Sequence, residues 1–241
     1  MTPEDRAHFD RALALAARAG RGAAPNPRVG CVVVREGAIV GEGWHRRPGE
    51  PHAEIVALEE AGERARRATL YVTLEPCSHL GRTPPCSAAI LEAGVARVVI
   101  GLIDPDAQVR GRGVAALETG GVRVEMAEGA AAEAAREELE DYLVHRERQR
   151  TFVAAKTAAT LDGRIADRDG RSRWITGDAA REHGRSLRDR YGAILVGAGT
   201  AGSDDPVLLP PTGSECGPFL RCVHDPGLDL SPGARLLREG P

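Results

Sequence analysis

The sequence predicts an α/β fold, and three observations carry that prediction. Short runs rich in Val, Ile and Leu alternate along the chain with segments of helical period, the pattern of a sandwich whose strands are at least partly parallel. Hydrophobic residues make up 42% of the chain and aromatics only 3%, so there is enough for a core, built mainly from Ala, Val, Leu and Ile. The length, 241 residues, exceeds one average domain and leaves room for two modest ones.

Each element has its own signal. MTPEDRAHFDRALALAARAG reads as a helix capped by Thr2, with Pro3 in its first turn and Asp5 behind. Two β-rich runs, 29–34 and 38–40, flank Glu36-Gly37 and predict a hairpin. Pro51-His52 opens a helix through HAEIVALEEAGERARR, with Gly62 near its end. ATLYVTLEP is a strand with Leu70, Val72 and Leu74 on one face. Pro84-Pro85 starts the helix CSAAILEAG, ended by Gly94, and VARVVIGLI and GGVRVEMAEG are further strands. From Ala130 to Arg150 a charged, Ala-rich segment predicts one helix closing a first domain, residues 1–150. The second, residues 151–241, is expected to open on a strand-like TFVAAKTAATLDGRIA, then to run through the helix DAAREHGRSLRDRY, the strand GAILVGAG and a Pro/Gly-rich stretch.

A formal charge of -3 argues against a nucleic-acid binder that grips phosphates. No apolar run approaches 18 residues, so no membrane span is expected, and the N-terminus lacks the basic start and apolar block of a signal peptide. The expected compartment is the cytoplasm, where Cys31, Cys77, Cys86, Cys216 and Cys222 serve as ligands, nucleophiles or core residues rather than disulfides. Cys31 reads as core, Cys216 and Cys222 as incidental. Lys156 is the one Lys among 32 basic residues, which singles it out as a position where a planar guanidinium would not serve.

The chemistry concentrates in EPCSHLGRTPPC. Cys77 follows a strand and Cys86 sits in the first turn of a helix, places where outward-pointing N–H groups favour thiolate. Two thiolates suit tetrahedral Zn2+, and His52, at another helix start, is the natural third ligand. Glu54 follows two residues on. Residues two apart on a helix point about 200° apart, so Glu54 is not a second ligand there, but it can reach water at the open position. A His/Cys/Cys set with a non-ligating Glu as proton shuttle is the arrangement of the zinc deaminases. A second imidazole from His79 would close the position that catalysis needs.

The motifs NPRVGCVVV, GEGWH, PHAE, TLEPCSHLGRTPPC and GRG resemble the deaminase half of the bifunctional riboflavin-biosynthesis deaminase/reductase family. The eight-residue gap SHLGRTPP distinguishes that family from cytidine, guanine and tRNA-adenosine deaminases. The resemblance implies a cytidine-deaminase-like three-layer α/β/α domain acting on a small molecule, a diaminopyrimidine bearing a ribosylamino 5'-phosphate. It implies zinc on His52, Cys77 and Cys86, proton transfer by Glu54, and substrate contacts from Asn26, His45 and Arg82. Asp106 departs from the family's usual Asn.

KTAATLDGRIA, SRWITG, LRDRYGAILVGAGT and DDP are similar to the start of the family's reductase domain, a dihydrofolate-reductase-like fold using NADPH. By position, Ala158, Trp174, Thr200 and Asp204 would face NADPH, and Lys156, Ser172, Arg188 and Leu208 the substrate. Pro211 stands where the family places a phosphate-binding Arg, and 91 residues after Arg150 make less than half of such a domain. The expectation is therefore an incomplete reductase domain, C-terminal part missing, that binds NADPH poorly and does not reduce. The alternative is the full bifunctional enzyme. A zinc-stabilised binding module is disfavoured by Glu54, and an RNA deaminase by the loop spacing and the acidic balance. A homo-oligomer is compatible with all of these.

Overall fold

The computed structural model describes residues 1–79, 84–211 and 217–240. The chain divides into two compact units, Met1–Val153 and Ala154–Pro241. No helix among the described residues is long and apolar enough to cross a membrane.

In the first unit, β1 (Gly30–Arg35) turns through Glu36 and Gly37, both at positive φ, into β2 (Ala38–Trp44). β3 (Thr69–Val72), β4 (Arg97–Ile100) and β5 (Arg123–Met126) complete a five-stranded sheet of order β2-β1-β3-β4-β5. β1 is antiparallel to β2 and β3, whereas β3, β4 and β5 run parallel. Alternation along the strands divides the core. Cys31, Val33, Leu70, Val72, Val98 and Ile100 face α2 (Ala53–Ala61), α3 (Cys86–Glu92) and α4 (Arg112–Thr119). Val32, Val34, Tyr71 and Val99 face α1 (Pro3–Ala17) and α5 (Ala130–Glu138). The result is the three-layer α/β/α domain that the resemblance implied.

Two glycines set how α2 lies. A Cβ on Gly41 would fall 2.1 Å from the Ala57 carbonyl oxygen, and one on Gly43 2.3 Å from that of Ala53. Spaced by two on a strand, they meet a ridge of Ala53, Ala57 and Ala61, spaced by four on the helix. The GEGW motif thus lets β2 and α2 touch backbone to backbone, which fixes the helix start where His52 and Glu54 reside.

Helix α1 begins on a capping box between Thr2 and Asp5. Asp5 is also an anchor: it accepts from Tyr71 Oη at 2.6 Å and from both terminal nitrogens of Arg97 at 2.6 and 3.1 Å. The Arg97 guanidinium first, then Tyr71 and Thr2, hold its carboxyl well below the usual carboxylate range against the cost of burial. The folded value lies below the unfolded one of about 3.9. Its stabilisation is therefore full above that pH and is lost as pH falls toward the folded value. Asp5→Asn should cost about 1.5–3 kcal/mol at neutral pH. Melts of the full chain from pH 7 to 3 should show the variant's deficit shrinking as the pH drops, and a deficit that stays constant would contradict this. Acid loss of any bound metal affects both proteins and cancels in the difference.

Three expectations need correction. The segment 130–150 is two helices, α5 and α6 (Glu140–Arg148), broken at Leu139. Arg28 Nη2 takes the Glu138 carbonyl at 2.5 Å, and the Tyr142 N–H turns to the Asp141 side chain, so the helical bond between them is replaced. Helix α4 was not foreseen. In the second unit, TFVAAKTAATLDGRIA forms no strand; it bends through a turn at Thr160–Arg164, with no strand partner among the described residues.

The second unit has α7 (Asp178–Arg190), β6 (Ala193–Gly197), α8 (Ala198–Asp204), β7 (Leu220–His224) and the short α9 (Arg235–Arg238). β6 and β7 pair in parallel. One side of this pair packs on Ala201, Ala234 and Leu236; on the other, Leu195 and Leu220 are exposed.

Candidate active site

Three element boundaries converge on one side of the first unit's sheet. His52 is the N-cap residue of α2, with extended backbone and no side-chain capping bond, which leaves its ring available. Cys77 follows β3 by five residues, and Cys86 opens α3 after Pro84-Pro85. His52 Nδ1 lies 3.2 Å from Cys86 Sγ and 3.6 Å from Cys77 Sγ, and the three ligand atoms all lie within 4.8 Å of one another. The start of α3 holds Cys77 in place: the Cys86 N–H points at its sulfur at 3.4 Å and the Ser87 N–H donates to its carbonyl at 3.1 Å.

The donor set fits zinc. Tetrahedral Zn2+ with ordinary Zn–S and Zn–N bonds sets nitrogen and sulfur about 3.5 Å apart. A thiol proton is easily lost here: Cys77 is drawn down to about 4, chiefly by its hydrogen bond with Cys86 and then by His52. Cys86 is pushed up by that same bond and by burial. His52 is raised, first by its bond to Cys77. A divalent cation between them would stabilise both thiolates and a neutral imidazole.

Glu54, second residue of α2, is buried at 3% exposure. Burial first raises its carboxyl. Beside it, His45 is buried and its ring meets that of His52 edge-on, centroids 5.5 Å apart. His45 Nδ1 faces the Pro51 carbonyl at 3.2 Å, which can only accept, so Nδ1 carries the proton and Nε2 accepts from Asn26 Nδ2 at 2.9 Å. Asn26 is thereby oriented with its Oδ1 left as an acceptor. Burial lowers the His45 value, consistent with that neutral tautomer.

The structure thus brings together His52, Cys77, Cys86, Glu54, His45 and Asn26. His79 is exposed, Cys31 is buried in the core and Cys222 is exposed on β7. Arg82 and Cys216 lie outside the described residues. Asp106, the departure from the family pattern, pairs with Arg146 at 3.2 Å. In the second unit, Lys156 packs its stem toward Gly184 on α7, and one turn on Arg188 donates to the Leu209 carbonyl at 2.6 Å, next to Leu208. Trp174 and Thr200 are exposed, Ala158, Ser172 and Asp204 half-buried. Sequence reasoning missed Arg28 and Glu75, both buried charges. Their signal was a charged residue at the edge of an apolar strand.

Residues 2–102 match the model of the cytidine and deoxycytidylate deaminase zinc-binding region, and residues 151–241 that of the RibD C-terminal domain. The chain is 43% identical to riboflavin biosynthesis protein RibD of Aquifex aeolicus, over 97% of its own length and 65% of that protein. To RibD of Synechocystis it is 44% identical, over 96% and 62%. A solved RibD of Acinetobacter baumannii superposes with a TM-score of 0.81 at 38% identity, covering 98% of this chain and 67% of that one. The chain belongs to the RibD family. A further RibD-family structure, from Thermotoga maritima, is described as a diaminohydroxyphosphoribosylaminopyrimidine deaminase/5-amino-6-(5-phosphoribosylamino)uracil reductase. It superposes with a TM-score of 0.85 at 41% identity, over 97% of this chain and 66% of that one. The chain therefore spans about two thirds of the length of these RibD relatives. Within the family match, the zinc-binding region contains all six residues that converge in the first unit.

Proposed function

We propose that residues 1–150 form a zinc-dependent deaminase domain that converts 2,5-diamino-6-(5-phosphoribosylamino)pyrimidin-4(3H)-one to 5-amino-6-(5-phosphoribosylamino)uracil, releasing ammonia. The observation that carries this reading is the meeting of His52, Cys77 and Cys86 beside a buried Glu54. His52, Cys77 and Cys86 would hold the ion, which supplies Lewis acidity that brings the pKa of water to about 7. Glu54 takes a proton from the attacking water on a carboxylate oxygen and delivers it to the departing amino nitrogen. A C–O bond forms at the ring carbon, the C–N bond breaks, and the nitrogen leaves as ammonia. Asn26, oriented by His45, offers Oδ1 to a ring N–H or amino group, and Arg82 would meet the phosphate or carbonyl.

Residues 151–241 we read as part of a reductase domain, with Ala158, Trp174, Thr200 and Asp204 toward NADPH and Lys156, Ser172, Arg188 and Leu208 toward substrate. The exposure of Trp174, Thr200, Leu195 and Leu220 supports an incomplete cofactor site. Two thiols that must stay reduced suit the cytosol. Purified chain incubated with the diaminopyrimidine phosphate and NADPH should release ammonia stoichiometrically without matching NADPH oxidation, and should stop when a chelator strips its metal. Absence of ammonia from zinc-replete protein would overturn the deaminase reading; NADPH oxidation at the rate of deamination would overturn that of the second unit.

A further inference from the structure

The GRG motif, Gly111-Arg112-Gly113, has so far had no task, and neither has Glu75, which is 4% exposed two residues before Cys77. The two meet. Glu75 Oε2 accepts from the N–H groups of Asp104 at 3.2 Å and Gly111 at 2.9 Å. Its Oε1 accepts from Gly113 at 2.9 Å and Val114 at 3.2 Å. Every acceptor direction of a buried carboxylate is thus taken by backbone donors from the start of α4 and the loop before it. Gly111 reaches this position at φ +75°, in the left-handed region.

A second observation, independent of those bonds, concerns packing. A Cβ on Gly113 would fall 2.0 Å from the Pro76 carbonyl oxygen and 3.1 Å from its carbon. The first turn of α4 therefore lies flush against the peptide that leads into Cys77. We infer that Glu75 is a positioning residue for the metal centre: with Gly111 and Gly113 it latches the Pro76–Cys77 backbone to α4 and so fixes where the Cys77 sulfur stands. Cys77 is then held from two helix starts, by α3 through its own atoms and by α4 through Glu75. Gln at 75 would turn an amide NH2 toward N–H donors and lose half of the latch.

This inference rests on the zinc reading, and the test separates the two. The full chain is prepared as wild type, Glu75→Gln, Gly111→Ala and Gly37→Ala. The last is the control: Gly37 also has a left-handed φ, +79°, and open space around it, but lies in the β1–β2 turn. Metal content is measured first, then the rate of zinc release to a chromophoric chelator, alongside thermal melts. Glu75→Gln should release zinc about 10–100-fold faster than wild type. Gly111→Ala should be several-fold faster, while Gly37→Ala lowers the melting temperature comparably and leaves release unchanged. Should Glu75→Gln fail to fold, the Gly111→Ala and Gly37→Ala pair decides alone. Equal release from that pair, or from Glu75→Gln and wild type, overturns the latch and leaves the zinc reading intact. Wild-type protein without zinc overturns the zinc reading itself, and the latch with it.

Discussion

Glu54→Gln is expected to lower kcat for ammonia release about 10²–10⁴-fold while zinc content and the melting transition stay at wild-type values. Glu54 is buried with its charge unfavourable there, so the amide removes a burial cost and leaves the shape of the site unchanged. Residue 54 is not among the three that supply the converging ligand atoms, so the ion has no reason to leave. What disappears is a group able to take a proton from water and return it to the leaving nitrogen. Because that transfer occurs only in the transition state, the loss belongs in kcat, with KM little changed. Metal analysis and a melting curve on the same sample separate this outcome from collapse of the site. Activity retained within about tenfold, with zinc bound, would assign the proton transfer to another group.

The readable part of this site was its unusual atoms. His and Cys at the ends of helices and strands, with the spacing of His52, Cys77 and Cys86, point to a metal because few other roles need those types there. The elements that present them were legible for the same reason: Pro51, Pro84 and Pro85 mark the helix starts, and alternating Val and Leu mark β1 and β3. The parallel pairing of β3 and β4 followed from chain order, since the legible helix α3 lies between them, as parallel neighbours require.

The illegible part is made of buried charges whose partners are remote in sequence. Asp5 looks like a helix-capping acid, and it is one; its second role needs Arg97, 92 positions on. Glu75 depends on an α4 too short, at eight residues, to announce itself by periodicity. The split at Leu139 has no breaker residue in the sequence. It arises because an arginine just before β1 takes the Glu138 carbonyl, a competition that no local propensity reports. The second unit fails differently. TFVAAKTAAT has strand composition, but a strand exists only with a partner ladder.

That arginine, Arg28, is the position at which we expect the largest loss of stability. It is 5% exposed and spans from the approach to β1 to the junction of α5 and α6. Its Nε donates to Glu138 Oε1 at 2.7 Å, and its terminal nitrogens hold both Asp141 oxygens at 2.9 Å. Arg28→Ala removes the guanidinium that bridges Glu138 and Asp141, and losing one partner of a buried ion pair typically costs about 3–5 kcal/mol. The cost is not the worth of the ion pair, because it includes the penalty of keeping carboxylates at a buried site after a cation is removed. Arg28→Met with Glu138→Gln removes the more buried of the two carboxylate charges and should recover part of the loss. Denaturant titrations of the single and double variants measure this coupling, and strictly additive costs would show that the contacts are incidental. Arg28 lies two residues after Asn26, so the single variant should also weaken substrate binding through a loosened loop, and the double variant should not restore it. Stability that returns without affinity would show that this arginine secures the fold through its charge and the substrate loop through its geometry.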